Sequence, residues 1–281
     1  INYLKKVKSK IPKCKILLEI PTYPYDYEFK KSFLNAPLYY KDRYYRKSLS
    51  KYVDRIVTYS LDEEIFGIPT IKISNGVDTK LIKKKKLIIS NEINIIAVAT
   101  FEVWHGYDRF IEGMGRYYKN KGDREIKLHI VGDGDVISDY KRIAENYNIS
   151  DKVIFHGYKT GEDLDNVYDK CQIALDAMGR HRSGVYYNSS LKSKEYAAKG
   201  LPIISGVETE LDKVDDFDYY LRVPANEEPI DMNEVIQFYN KIYKDKDPNS
   251  IISDIRRYAE ENFDITKCMR PVIDFIKYEK D

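Results

Sequence analysis

Residues 189–205, SSLKSKEYAAKGLPIIS, bring together a helix start, cations and one carboxylate, a grouping able to hold an anion. Ser189 and Ser190 are suited to cap a helix, Gly200 to stop it, and Pro202 to open the apolar run that follows. Lys192, Glu195 and Lys199 fall three and four residues apart and share a face. The first N–H groups of a helix have no partner within it and sit at the positive end of its dipole, so they attract anions. Arg180 and Arg182 lie just upstream. Taken alone, the same residues also describe an ordinary solvated helix with i,i+4 ion pairs. The surrounding chain has to decide.

The chain supplies a repeating scaffold for such a group. Strands are predicted at 15–20 and 55–60, a long basic, Tyr-rich helix at 35–53 between them, and a strand at 70–74 ending in the Asn75-Gly76 turn. Residues 80–90, with four consecutive lysines, read as a solvated linker. Beyond it, strands at 93–99, 126–131, 153–156, 173–177, 202–205 and 219–223 alternate with helices at 107–119, 136–148, 162–170 and 191–199. Helices at 232–244, 250–262 and 265–278 close the chain. Continuous apolar strands alternating with helices predict an α/β fold, its parallel sheet covered on both faces. Ligands bind such sheets at the carboxyl ends of the strands. Five loops should therefore face one: 100–106, 132–135, 157–161, 178–190 and 206–209. The longest, 178–190, carries Arg180, His181 and Arg182 and exceeds the usual short βα connection.

Composition narrows the class. A chain of 281 residues fits one large domain or two smaller ones, and a net charge of +2 gives no electrostatic case for nucleic acid. Cys14, Cys171 and Cys268 are scattered, with neither zinc spacing nor a disulfide framework, which suits a cytoplasmic location. The four histidines lack ligand spacing, so no metal site is predicted. No stretch is long enough to cross a bilayer. The helix at 35–53 leaves two readings open. Tyr39, Tyr40, Arg43, Tyr44, Tyr45, Arg46 and Lys47 either pack on the sheet with a solvated cationic face, or meet anionic headgroups or a lipid-linked acceptor in a peripheral contact with the inner membrane.

Several segments together resemble the family-4 retaining glycosyltransferases of the GT-B fold. They are ISNGVD at 73–78, LHIVGDGD at 128–135, VIFHGY at 153–158 and LKSKEYAAKGLPII at 191–204, in that family's order and spacing. WHGYDRFIEG at 104–113 looks like the helix start where many members have a Lys-Gly pair. LEIPTYPYD at 18–26 and DRIVTYS at 54–60 look like the second half of the family's N-terminal domain. The likeness is closest to members that build bacterial capsule, exopolysaccharide or lipopolysaccharide chains. It implies a GT-B-like α/β architecture of two facing Rossmann-like domains with parallel sheets. Residues 1–79 would be the second half of an acceptor-side domain, 80–262 the nucleotide-sugar-binding domain, and 263–281 a helix packing back towards the first. Only two or three strand candidates precede the linker, so the first domain is expected to be incomplete in this sequence and the natural product to be longer.

The resemblance also implies a chemistry: a hexosyl unit passes, with retention, from a nucleotide diphosphate sugar to a saccharide or polyprenyl-linked acceptor, without cofactor or metal. A UDP-sugar is favoured over a GDP-sugar. Glu195 matches the glutamate that accepts bonds from the ribose hydroxyls, a task that suits a carboxylate. Gly157 and Tyr158 match the segment beside the nucleobase. Ser189, Ser190 and Leu191 match the loop whose N–H groups approach diphosphate and sugar, and Gly132 lies at a glycine-bearing strand end.

The sequence departs from the family twice. Tyr187 stands where the family has the first of two glutamates eight positions apart, and Ala99 or Thr100 and His105 stand where an Arg and a Lys usually clamp the diphosphate. Arg182 and Lys192 are the candidate catalytic cations instead, with Arg180, His181 and His105 behind them. Glu19 and Tyr23 fall where the family's acceptor-side loop faces the cleft, although packing explains them equally well. Two rival functions remain: a nucleotide-sugar epimerase of the same architecture, and a non-catalytic nucleotide-sugar-binding subunit.

Overall fold

A computed structural model describes residues 1–26, 36–88 and 90–278. Its first sheet has the order β1-β2-β4-β3, with β1 (Leu17–Ile20), β2 (Arg55–Thr58) and β4 (Ile68–Lys72) parallel. The short β3 (Glu64–Ile65) pairs antiparallel with β4 through a Phe66-Gly67 turn in which both residues have positive φ, the geometry a two-residue hairpin needs. Neither β3 nor the first helix, α1 (Asn2–Lys10), was visible as an apolar period. The helix predicted for 35–53 is shorter: α2 (Ala36–Arg46), then a 3-10 turn at Leu49–Lys51. Asn35 lies outside the described residues. A small core of Ile20, Val53, Ile56, Ile65 and Ile68 holds this sheet.

The second sheet is larger and wholly parallel, in the order β10-β9-β8-β5-β6-β7. Its strands are β5 (Ile93–Thr100), β6 (Ile126–Asp133), β7 (Val153–Gly157), β8 (Ile173–Leu175), β9 (Ile203–Ser205) and β10 (Tyr220–Arg222). Helices α3 (Tyr107–Lys119), α4 (Ile137–Asn146), α5 (Gly161–Lys170) and α6 (Leu191–Lys199) connect them, and α7 (Met232–Tyr243) and α8 (Pro248–Asn262) follow. The central strands are buried on both faces because helices cover both, which is why they read as unbroken apolar runs.

Two features of the connections differ from expectation. Residues 83–86 are not a freely solvated linker. The Lys85 N–H donates to the Lys199 carbonyl (2.9 Å) and the Lys86 N–H to Asp169 Oδ1 (2.7 Å), strapping the segment across α5 and α6. The last helix is broken into α9 (Ile265–Cys268) and α10 (Arg270–Tyr278). Val272 of α10 is buried with Val57 of β2 and with Ile73, which follows β4, so the last helix spans both units. Val77 bridges Asp264 at the joint, where a Cβ on Gly76 would come 2.7 Å from the Ile265 Cα. Only glycine fits there.

Candidate functional site

The loops after β5, β6, β7, β8 and β9 follow from parallel strands and so share the carboxyl edge of the larger sheet. They are fixed by close backbone contact. A Cβ on Gly106 would lie 2.5 Å from the Gly179 nitrogen, and one on Gly132 would lie 1.9 Å from the Ala99 carbonyl oxygen. Arg109, buried in α3, donates to the carbonyls of Met178 (2.5 Å), Glu228 (2.8 Å) and Pro224 (3.0 Å) and to Asn226 Oδ1 (2.8 Å). One guanidinium thus braces the long loop against the segment after β10.

At the start of α6 the two serines do not cap the helix, contrary to the expectation from their type. Ser190 Oγ donates to Asp176 Oδ1 (2.8 Å), and Ser189 Oγ to Glu210 Oε1 (2.9 Å). Tertiary acceptors have drawn off both hydroxyls, so the first N–H groups of α6 remain available to another acceptor. Lys192 Nζ lies 3.9 Å from Asp176 Oδ1. Burial pulls the Lys192 pKa down to about 8, against the opposing effect of Asp176, and the Arg180 charge adds to the lowering. Asp176 is fully buried, and its Oδ2 has no partner among the described residues.

His105 stands beside this cluster. Burial, then Lys192 and Arg180, push its pKa down to about 3, so the ring is neutral at neutral pH. The Glu102 N–H donates to His105 Nδ1 (3.0 Å), which leaves the proton on Nε2 and makes that nitrogen a donor. Arg180 acts on both His105 and Lys192, and Lys192 on His105, so the three nitrogen groups are electrostatic neighbours. Glu195, the next turn along α6, accepts from the Tyr168 hydroxyl (3.3 Å), and burial raises its pKa. At the end of β7, Gly157 has φ 65 and open space where a Cβ would be, and Tyr158 beside it is exposed. Leu191 is exposed at the helix start.

Other predicted site residues lie elsewhere. Arg182, expected to clamp phosphates, is committed to protein: it pairs with Asp108 (2.7 and 2.9 Å) and Glu227 (2.6 and 3.1 Å) and donates to the Val103 carbonyl (2.9 Å). Burial opposes its charge, but the two carboxylates outweigh that and raise its pKa. His181 donates to the same Glu227 (2.6 Å). Both residues therefore latch the long loop rather than offer it charge. Ser189 belongs to the joint between the sheets, where its Oγ accepts from the Asn75 N–H (2.9 Å). Tyr187 bridges Glu208, and Lys213 stands 5.4 Å from its ring centroid. On the other unit, Glu19 accepts from the Tyr59 hydroxyl (2.6 Å), while Tyr23 packs edge-on against Phe66 (5.9 Å) in the small core. Among the described residues, no three His, Cys, Asp or Glu side chains stand together as metal ligands.

Residues 78–184 match the family described as Glycosyl transferases group 1. No curated protein matches the sequence. Among solved structures, HepE of Anabaena in complex with UDP superposes with a TM-score of 0.67 at 12% identity, covering 98% of this chain and 75% of that one. Sucrose-phosphate synthase of Thermosynechococcus elongatus gives 0.67 at 17% identity, covering 98% and 70%. The chain has the GT-B fold.

A glycosyltransferase of Rickettsia africae gives 0.66 at 15% identity, covering 99% and 82%, and shares that GT-B frame. Within it, sequence reasoning passed over Asp176 and Arg109. Asp176 had a signal: a carboxylate directly after an apolar strand, on the edge where ligands bind. Arg109 had none, because its four acceptors lie some seventy to one hundred and twenty residues away.

Proposed function

We propose that this chain is a retaining hexosyltransferase. It would move a sugar from a UDP-sugar to a saccharide or polyprenyl-linked saccharide, at the cytoplasmic face of a bacterial membrane, in cell-surface polysaccharide synthesis. The observation that carries the reading is the uncapped start of α6 beside Lys192, with Glu195 one turn further on. The donor diphosphate accepts from the free helix N–H groups and from Lys192, and Nε2 of neutral His105 is a further donor. The ribose hydroxyls bond to Glu195, and the base lies along Gly157 and Tyr158. As the bond to the anomeric carbon breaks, negative charge grows on the leaving phosphate. Fixed N–H dipoles and the ammonium stabilise it there. The acceptor oxygen bonds to the anomeric carbon on the face that the phosphate leaves and gives its proton to that phosphate, which keeps the anomeric configuration.

The group 1 match over 78–184 supports glycosyl transfer, and the GT-B relative HepE, recorded with UDP and with UDP-glucose, supports a uridine donor. The test is turnover of a panel of UDP-sugars with and without saccharide acceptors, the product's anomeric configuration being read by NMR. Transfer with retention is the expected result. Donor conversion without acceptor would indicate an epimerase, donor binding without turnover a binding subunit, and inversion would contradict the mechanism.

A further inference from the structure

Helix α2 presents its faces the wrong way round for a helix that packs on a sheet. None of its residues is buried. Its inward side is held by charge: Arg46 pairs with Asp26 (2.8 Å) and Asp42 (3.6 Å), and its guanidinium lies over the Phe66 ring (4.8 Å). Asp42 also accepts from the Tyr25 hydroxyl (3.1 Å). The outward side carries the apolar and aromatic groups instead. Leu38 is 56% exposed, Tyr40 68%, Tyr44 73% and Tyr45 43%. Lys41, Arg43, Lys47 and Lys51 are exposed with them. Asp42 is the only acid between residues 36 and 51, and it is turned inward, so the outer face is uniformly cationic.

Each alternative cover meets a physical objection. A second copy would bring four cations against four. A nucleic acid would pair with the charges but give no reason for exposed Leu38. A bilayer interface rich in anionic lipid answers both: tyrosines rest at headgroup depth, leucine enters the acyl boundary, and lysine and arginine bind phosphates. At 1.5 Å per residue the helix is about 16 Å long, too short to span, so it would lie in the plane of the surface.

We propose that α2 seats the protein on an anionic phospholipid surface, with Leu38, Tyr40 and Tyr44 in the headgroup layer and Lys41, Arg43, Lys47 and Lys51 on the lipid phosphates. The inference does not rest on the transfer reading, because its test needs no sugar donor. The full chain is sedimented with vesicles of phosphatidylglycerol and phosphatidylcholine, and with vesicles of phosphatidylcholine alone, at low and high salt. It should bind the anionic vesicles, release in high salt, and leave the neutral ones unbound.

The triple variant Lys41→Glu, Arg43→Glu, Lys47→Glu should lose at least tenfold in partitioning while its thermal unfolding stays close to wild type, since all three are exposed and the contact of Arg43 with Tyr39 (3.3 Å) is itself at the surface. A Tyr44→Trp variant should shift its emission to the blue on anionic vesicles only. Equal binding to both vesicle types, no binding to either, an unaffected triple variant or an unshifted Trp would each overturn the proposal. So would capture of an oligonucleotide duplex in preference to the vesicles, or a concentration-dependent dimer that the triple variant abolishes.

Discussion

Lys192 and Lys194 stand two residues apart on α6, about 200° around the helix, and meet opposite environments. Lys192 keeps its nearest carboxylate at 3.9 Å, beside an uncapped helix start. Lys194 is wholly buried. Its Nζ lies 2.5 Å from Glu210 Oε1 and 4.5 Å from the Phe263 ring centroid. The same Glu210 oxygen accepts from Ser189 (2.9 Å) and from Ser74, which stands at the end of the first sheet. One side of the helix holds donors in reserve; the other spends them on a joint between the two units. The difference teaches how to read α6. Loosely engaged charge at a sheet's carboxyl edge marks a place for a ligand, whereas tightly engaged buried charge marks a place where the fold is held.

The comparison can be broken at either lysine. The largest effect belongs to the joint. Lys194→Met leaves the buried Glu210 carboxylate without its cation, so unfolding in denaturant should show a loss of about 3–5 kcal/mol. The folded fraction should still bind UDP with wild-type affinity. A collapse of UDP affinity in that variant would mean that the two sides of α6 are not separable.

A smaller effect is expected at Glu195. Glu195→Gln keeps the shape but removes the charge that accepts from two ribose hydroxyls, so UDP affinity should fall by about 1–3 kcal/mol, roughly five- to a hundredfold. Stability should barely move. If the helix were only a solvated face, affinity would stay the same and stability would drop by a few tenths of a kcal/mol.

The smallest effect is a pH dependence. The free-state pKa of Lys192 is lowered from 10.5 to about 8, and a diphosphate binds its protonated form. UDP affinity measured across pH should therefore be level below about 8 and fall above it, by at most about tenfold per unit. The sign for stability is opposite. With the folded pKa below the unfolded one, charged Lys192 weakens the fold below about 8, and that penalty lifts as the pH rises towards 10.5. A binding profile that stays flat through pH 9 would remove Lys192 from the site.

The larger sheet was legible because its strands are covered on both faces and so read as continuous apolar runs with glycine at their ends. The first sheet was less so: β3 is two residues long and α1 buries nothing, leaving no period to read. At the candidate site, the sequence showed the residue types at the start of α6 but not the partners that several of them take. Ser189 and Ser190 have the chemistry of caps, yet Glu210 and Asp176, distant in sequence, accept their protons. Arg182 has the chemistry of a phosphate clamp, yet Asp108 and Glu227 occupy its guanidinium. Local residue type says what a group can do. Its long-range partners say whether it is free to do it.

Calorimetric titration of UDP into wild type and Lys192→Met tests the central claim most directly, that the diphosphate sits at the start of α6. Losing a charge-assisted contact should weaken UDP by about 1.5–3 kcal/mol, roughly ten- to a hundredfold. The thermal midpoint should stay level or rise, because a half-hidden charge has been removed. Equal affinities for the two proteins would contradict the account.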